Sequence, residues 1–131
     1  MNFDRAVFLC PVPIISHETG QFQIYPNYKE MEKYTGVLKP RNFEIFKQRL
    51  EKAGMADQAD DFFKASGKWS VHLYRADIEM DLRTKGFGGF QLLDLQDYPG
   101  QGSAYVGILE AFMDSKGLIT PEEWREFCSE I

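Results

Sequence analysis

The segment 88–102, with the sequence GGFQLLDLQDYPGQG, constrains the fold more than any other part of the chain. Its apolar residues are dense enough for a short strand buried on both faces, as in a parallel sheet covered by helices. Polar side chains gather at the C-terminal end of this strand: Asp94, Gln96, Asp97 and Gln101. Because α/β proteins bind ligands beyond the carboxyl ends of parallel strands, the segment predicts both an α/β fold and a site.

Other periodic segments predict one more strand and several helices. A buried strand is expected over 12–16, since Pro11 and Pro13 suit only an extended approach to it. Between the two strands the pattern predicts helices over 28–35, 41–53, 55–66 and 68–84, the last two separated by Gly67. After the second strand it predicts a helix over 103–114 capped by Ser103, and a last helix that a capping box, Thr120-Pro121-Glu122-Glu123, opens.

Composition limits the classes of partner. With 131 residues, 44% of them hydrophobic, the chain is expected to form one globular domain over 1–131. The net charge is −5 and no lysine or arginine cluster is long enough to follow a phosphate backbone, so nucleic acid is not expected as a partner. The longest apolar stretch, 6–15, is interrupted by prolines and too short for a bilayer. Cys10 and Cys128 are expected to be buried thiols.

The first candidate site follows the first strand, in the sequence Ser16-His17-Glu18-Thr19-Gly20-Gln21. A carboxylate held at a rigid strand end can attack a sugar anomeric carbon or carry a proton, which makes Glu18 the catalytic candidate. His17 beside it could orient Glu18 or bind a sugar hydroxyl. The alternative is that both side chains satisfy backbone donors at the strand end.

The second candidate site is the polar group after the second strand. Carboxylates, amides and an aromatic ring suit a polyhydroxylated ligand, because they offer paired acceptors and donors together with a face for C–H groups. The loop after the first strand repeats this chemistry. The predicted sugar-binding residues are His17, Gln21, Tyr25, Asn27, Asp94, Gln96, Asp97 and Gln101. The alternative is a pair of polar loops whose aspartates cap turns.

Neither a metal nor a cofactor is predicted. Gly117, Ile119 and Glu123 match the second half of a calcium-binding loop, but Phe112 and Lys116 would stand at ligand positions, where a cation needs oxygen. The chain has no GxSxG elbow, HExxH helix or phosphate-binding loop. These absences disfavour serine hydrolases, zinc proteases and nucleotide enzymes.

Four long segments together resemble a known enzyme family. They are PIISHETGQFQIYPNY, YTGVLKPRNFEIF, YRADIEMDLRTKGFGGFQLLDLQDYPGQG and FMDSKGLITPEEWREFC, which span nearly the whole chain. They resemble the C-terminal part of the catalytic (β/α)8 barrel in bacterial glycoside hydrolase family 2 proteins of the β-galactosidase type. The resemblance implies that Glu18 is the nucleophile at the end of the seventh barrel strand and that GGFQLLDLQD is the eighth strand.

The resemblance also implies that the chain is incomplete as an enzyme. A whole barrel takes about 250 residues, so this chain would supply a partial barrel segment, the last two strands and their helices, rich in helix with few parallel strands. The acid/base glutamate of an earlier strand has no counterpart here. The expected partners are carbohydrate and the remainder of the barrel or another copy of the chain, with no membrane. The chain carries no export signal of its own, and the resemblance implies a periplasmic or secreted full-length protein.

Two other functions remain open at this point. The chain could be a noncatalytic carbohydrate-binding module, which would bind sugar without hydrolysing it. It could instead be a structural domain whose exposed strand edges associate with another copy.

Overall fold

The computed structural model describes residues 2–99, 102 and 105–129. Two strands are separated by a series of helices, which includes two 3₁₀ helices, Tyr28–Lys33 and Ala56–Gln58. The regular elements are α1 (Asp4–Leu9), β1 (Ile15–Gly20), α2 (Arg41–Lys52), α3 (Ala59–Leu82), β2 (Gly89–Leu93) and α4 (Pro121–Cys128). No helix in the described ranges is long and apolar enough to cross a membrane.

The two strands pair in parallel and form a two-stranded sheet. Their register places Ser16 opposite Phe90 and Thr19 opposite Leu92, so β1 has one residue more than β2 over this interval. Such an extra residue is a β-bulge, which bends its strand and redirects the side chains within it. Beyond the strand end, the Gln21 amide donates to the Leu93 carbonyl at 2.8 Å. The C-terminal ends of both strands therefore lie side by side.

Helix α3 packs against both strands and against α4. The predicted break at Gly67 is wrong, because α3 runs through this residue without interruption. A Cβ atom at position 67 would lie 2.5 Å from the side-chain methyls of Leu118. The lack of a side chain at Gly67 lets the loop that contains Leu118 approach the helix, and no residue near Gly67 in the sequence indicates this contact.

The predicted helix over 103–114 is also wrong over the described residues 105–114, while its proposed cap, Ser103, lies outside them. Leu109 instead bridges to Gln96 in parallel and to Ser115 in antiparallel fashion. The Tyr74 hydroxyl also donates to the Val106 carbonyl at 2.6 Å. Tertiary hydrogen bonds take the backbone groups that a helix would have used.

The strand boundaries differ from the prediction, while two helices agree with it. β1 is Ile15–Gly20 rather than 12–16, so the first candidate site lies mostly within the strand instead of after it. β2 is not buried on both faces, since none of its residues is fully buried and Gln91 is exposed. The segment 28–35 forms a 3₁₀ helix rather than an α-helix. Helices α2 and α4 are confirmed, and the Thr120 capping box forms as expected. Cys10 and Cys128 are free and only partly buried.

The core lies between α3 and the loops that follow the two strands. Tyr74 and Ile78 of α3 are fully buried within it. Aromatic rings form much of the rest, and the rings of Phe43 and Tyr105 meet edge to face with 5.0 Å between centroids. Because these rings come from α2 and from the loop after β2, their packing fixes the loops on which the candidate sites lie.

Candidate functional site

Glu18 lies in the bulge near the C-terminal end of β1, where its side chain is exposed. Its φ angle of 56° is in the left-handed region, as is that of Gln21 at 60°. Side chains other than glycine, asparagine and aspartate seldom adopt this backbone, which costs about 1 kcal/mol. The Gln21 amide nitrogen, Nε2, donates to the Glu18 carboxylate at 3.0 Å. The bulge and this hydrogen bond hold the carboxylate at the strand end.

Beneath this strand end is a rigid base formed by Gly20 and Tyr74. Gly20 has a φ angle of 111°, and a Cβ atom there would lie 2.3 Å from the Tyr74 ring. Only glycine satisfies both the conformation and the close approach. The Tyr74 ring is fully buried and the Tyr74 hydroxyl is hydrogen-bonded, so the backbone at the Glu18 end of β1 is held in place.

The end of β2 brings Asp94 and Gln96 to the same edge of the sheet. Gly20 pairs with Leu93, so Asp94 follows β2 directly beside the end of β1. Both Asp94 and Gln96 are half-buried, and the Asp94 carboxylate accepts from the Leu95 amide at 2.9 Å. The parallel register therefore places these two residues just beyond the end of β2, at the edge of the sheet where β1 also ends.

Asp97, by contrast, is buried and held on both sides by the chain itself. One carboxylate oxygen accepts from the Gly107 amide at 2.9 Å, and the other lies 2.8 Å from the Lys116 ammonium. Lys116 is also buried and donates to the Gly107 carbonyl at 2.8 Å. Burial raises the pKa of Asp97, and the positive charge of Lys116 opposes this rise. A ligand could reach the Asp97 carboxylate only by breaking these contacts.

Glu30 and Glu110 extend this buried group of charges. Glu110 is buried and pairs with Lys33, which also binds Asp114 at 2.7 Å. Glu30 is 1% exposed, and its Oε2 atom has no hydrogen-bond partner among the described residues. Burial, followed by the charges of Glu110 and Asp97, raises the pKa of Glu30 to about 8. Glu30 is therefore mostly protonated at neutral pH. We call the buried residues Glu30, Asp97, Glu110 and Lys116, together with the exposed Lys33 that pairs with Glu110, the buried charge network.

The remaining predicted sugar-binding residues take part in packing or lie outside the described ranges. The Tyr25 hydroxyl lies 3.0 Å from that of Tyr28. The Asn27 side chain accepts from the Lys29 amide and thus caps the first 3₁₀ helix. Gln101 lies outside the described residues. The chain's own contacts already engage Tyr25 and Asn27, whereas His17 and Gln21 are exposed.

No motif in the sequence indicates the basic and acidic neighbours of Asp97. In the sequence Lys116 was considered only as a residue unsuited to calcium, and Glu30 was not considered at all. Lysine and glutamate are seldom buried, so no local pattern indicates that these two are. One indirect sign of their pairing is that Asp97 and Lys116 lie on either side of Gly107, in a segment that forms no helix in the described structure.

The chemistry available at the strand ends is that of an exposed carboxylate among amides. Among the described residues, no group of three or more histidine, cysteine, aspartate or glutamate side chains could hold a metal ion. The arrangement suits nucleophilic or proton-transfer chemistry by Glu18, with neighbours able to hold hydroxyl groups. No protein-family model matches the chain, and no curated protein matches its sequence.

Proposed function

We propose that this chain is a segment of a retaining β-glycosidase barrel, of the β-galactosidase-like type, in which Glu18 is the nucleophile. The observation that carries the proposal is the position of Glu18: exposed, at the C-terminal end of a parallel strand, and held by Gln21. Nucleophilic carboxylates of barrel enzymes stand at such strand ends. The resemblance of the four sequence segments supports the same assignment.

In this proposal Glu18 attacks the anomeric carbon as the bond to the leaving oxygen breaks, which gives a covalent glycosyl-enzyme. Water then hydrolyses that ester and returns the carboxylate. The exposed His17 and the half-buried Asp94 and Gln96 hold ring hydroxyls, since all three stand at the same edge of the sheet. Asp97 supports the site by fixing the loop after β2 through Lys116 and Gly107.

The leaving oxygen needs a proton from a second carboxyl group. In retaining enzymes the two carboxyl groups stand about 5 to 5.5 Å apart, on either side of the scissile bond. Asp94 is hydrogen-bonded to its own loop, and Asp97 is paired with Lys116. We therefore assign the acid to another part of the barrel, and expect the chain alone to bind sugar without turning it over.

A mechanism-based label tests the assignment of Glu18. A 2,4-dinitrophenyl 2-deoxy-2-fluoro-β-galactoside traps the glycosyl-enzyme of a retaining enzyme, because its good leaving group needs little acid assistance and the fluorine slows hydrolysis. Mass spectrometry of the digested protein, with the complete barrel present, should find the sugar on Glu18. The Glu18→Gln variant should take no label, while Glu32→Gln, a change at another exposed glutamate, should label normally.

Three results would separate this proposal from its rivals. A label on another residue, or turnover near the wild-type rate in Glu18→Gln, would refute Glu18 as the nucleophile. Sugar binding with neither label nor turnover in the complete protein would favour a noncatalytic binding module. The self-association alternative has its own support, since each strand of the described sheet pairs on one side only. Assembly that grows with concentration and is indifferent to sugar would favour it.

A further inference from the structure

An open cavity of about 260 Å³ lies along β1 and α3. Its walls are the β1 residues 16–20, Phe3, and three residues of α3: Asp77, Met80 and Asp81. β1 pairs with β2 along one edge and with no other strand among the described residues. The cavity thus adjoins a strand that still has one edge available for pairing.

Two buried polar atoms at this cavity lack a hydrogen-bond partner within the described residues. Asp81 is 2% exposed; its Oδ1 atom accepts from the Ser16 hydroxyl at 2.7 Å, but its Oδ2 atom has no partner. Thr19 is 7% exposed, and its hydroxyl also has none. Leaving such a group unpaired costs about 1 to 3 kcal/mol, and native structures leave few of them. The Asp81 Oδ2 atom is therefore an acceptor without a donor, while the Thr19 hydroxyl is able both to donate and to accept.

The charge of the cavity specifies the kind of donor. Asp77 and Asp81 are four residues apart on α3, so their carboxylates lie on the same face of the helix. No lysine, arginine or histidine of the described chain forms an ion pair with either one. Burial raises the pKa of both, and the charge of Asp81 raises that of Asp77 further. A cation with several N–H groups would satisfy both carboxylates and the Thr19 hydroxyl.

We propose that the outer edge of β1 binds an extended polypeptide segment, whose arginine side chain enters this cavity and pairs with Asp81 and Asp77. The guanidinium group suits the cavity because its planar fork donates to several acceptors at once. An extended segment suits the edge because backbone hydrogen bonds along a strand supply affinity, while a side-chain pocket supplies specificity. Glu18 also lines this cavity, but the proposal is based on the unpaired Asp81 carboxylate, on Asp77 and on the free edge of β1 in the described structure, and it does not require Glu18 to be a nucleophile.

Three probes test the inference on the whole chain. The first is the capped pentapeptide acetyl-Thr-Val-Arg-Val-Thr-amide, the second is the same peptide with neutral citrulline in place of arginine, and the third is N-acetylarginine methylamide. Binding is followed by amide chemical shifts of the ¹⁵N-labelled chain. The arginine peptide should shift the amides of β1 residues 16–19. The citrulline peptide should bind about 10- to 100-fold more weakly, the range expected for charge-assisted hydrogen bonds.

Variants of the carboxylates locate the binding site. Asp81→Asn keeps the acceptor for Ser16 and should weaken the arginine peptide about tenfold or more while leaving the citrulline peptide unchanged. Asp77→Asn, at a less buried position, serves as a second variant should the first lose its fold. Asp61→Asn, an exposed aspartate of the same helix, should bind as the wild type does. Thermal melts establish that each variant is folded.

Several outcomes would overturn the inference. Equal affinity for the arginine and citrulline peptides would remove the role of charge. Equal affinity for N-acetylarginine methylamide and the peptide would indicate a small-molecule guanidinium site instead of strand docking. Failure of every probe to shift the β1 amides at millimolar concentration would also exclude it. A dimer of the chain that Asp81→Asn dissociates would make the occupant a second copy. None of these results depends on the glycosidase assignment, which the fluoro-sugar label tests separately.

Discussion

The side chains around Glu18, which we call the Glu18 group, and the buried charge network both lie near the ends of the two strands. The environments of their carboxylates are opposite. Glu18 is exposed and receives a hydrogen bond from one amide, in a left-handed backbone that only the bulge explains. Asp97 is buried, and a backbone amide and the ammonium of Lys116 hold it. From sequence alone, Glu18 was predicted to be the catalytic residue and Asp97 to bind sugar beside it.

This contrast separates carboxylates that can act on a ligand from those that fix the fold. A buried charge is tolerated only when it is paired, so a carboxylate such as Asp97 is committed to its partner. An exposed carboxylate keeps lone pairs available, and its loss removes little folding energy. Mutations in the buried charge network should therefore change mainly the unfolding free energy, whereas mutations in the Glu18 group should change mainly the reaction with a ligand.

The largest effect is expected when Lys116 is replaced by methionine. The change keeps most of the side-chain volume but leaves Asp97 as an unpaired buried charge, which costs about 3 to 5 kcal/mol of unfolding free energy. Denaturant titration at pH 7 measures this loss. The control is Lys64→Met, at an exposed position on α3, which should stay within about 0.5 kcal/mol of the wild type.

A double variant separates the charge from the packing of the lysine stem. If Asp97→Leu is added to Lys116→Met, the unpaired charge disappears and most of the stability should return. The Gly107 amide then lacks its acceptor, so a deficit of about 1 to 3 kcal/mol should remain. No recovery at all would show that lost packing causes the damage and that the ion pair contributes little.

The second effect is a change in how stability depends on pH when Glu30 is replaced by glutamine. The pKa of Glu30 is about 8 in the folded chain and 4.5 by its ordinary value, so the folded state holds a proton that the unfolded state releases. Its contribution is fully present below about pH 4.5 and is lost as pH rises to about 8. The loss amounts to a few kcal/mol, at about 1.4 kcal/mol per pKa unit.

The glutamine variant cannot lose a proton and should remove this slope. Compared with the wild type, Glu30→Gln should gain stability steadily between pH 5 and 8, as measured by denaturant titrations at several pH values. Glu32→Gln, at an exposed neighbour, should follow the wild-type curve. If the difference between Glu30→Gln and the wild type stays constant across this range, Glu30 is ionised in the folded chain and the described network is incorrect.

The third effect concerns Tyr74, which connects the two regions. Its ring supports Gly20 beneath the Glu18 group, and its hydroxyl binds the Val106 carbonyl next to Gly107 of the buried network. Tyr74→Phe should lower the unfolding free energy by about 1 to 2 kcal/mol, because the buried carbonyl loses a donor. Tyr98→Phe, at an exposed ring, should have almost no effect. An equal response of the two variants would mean that Tyr74 does not join the regions.

The parts of the fold that were predicted correctly depend on neighbours in the sequence. Phe43 and Leu50 recur at helical spacing, and α2 buries both of them. Thr120 and Glu123 form a capping box within a single turn, so α4 could be predicted from four residues. The pairing of two parallel strands whose C-terminal ends lie side by side agrees with the two strands expected from the sequence.

The parts that were missed depend on residues far apart in the chain. Gly67 does not break α3, since it makes room for Leu118 some fifty positions later. The segment 105–114 has a helical apolar pattern, but Tyr74 and Lys116 bind its carbonyls and prevent the helix in the described structure. The buried network was unpredictable for the same reason, because burial of Lys116 follows from tertiary packing and lysine is the type least expected there.

The smallest effect, and the one that sharpens the contrast most, is expected at Glu18 itself. Its left-handed backbone costs about 1 kcal/mol that the fold does not require, because asparagine adopts the same conformation more readily. Glu18→Asn should therefore raise the unfolding free energy by up to about 1 kcal/mol while removing the nucleophile. Glu18→Gln, which lacks the asparagine preference, should leave stability within about 0.5 kcal/mol of the wild type. Denaturant titration of both variants gives the comparison, and a clear loss of stability in either would mean that Glu18, like Asp97, holds the fold together.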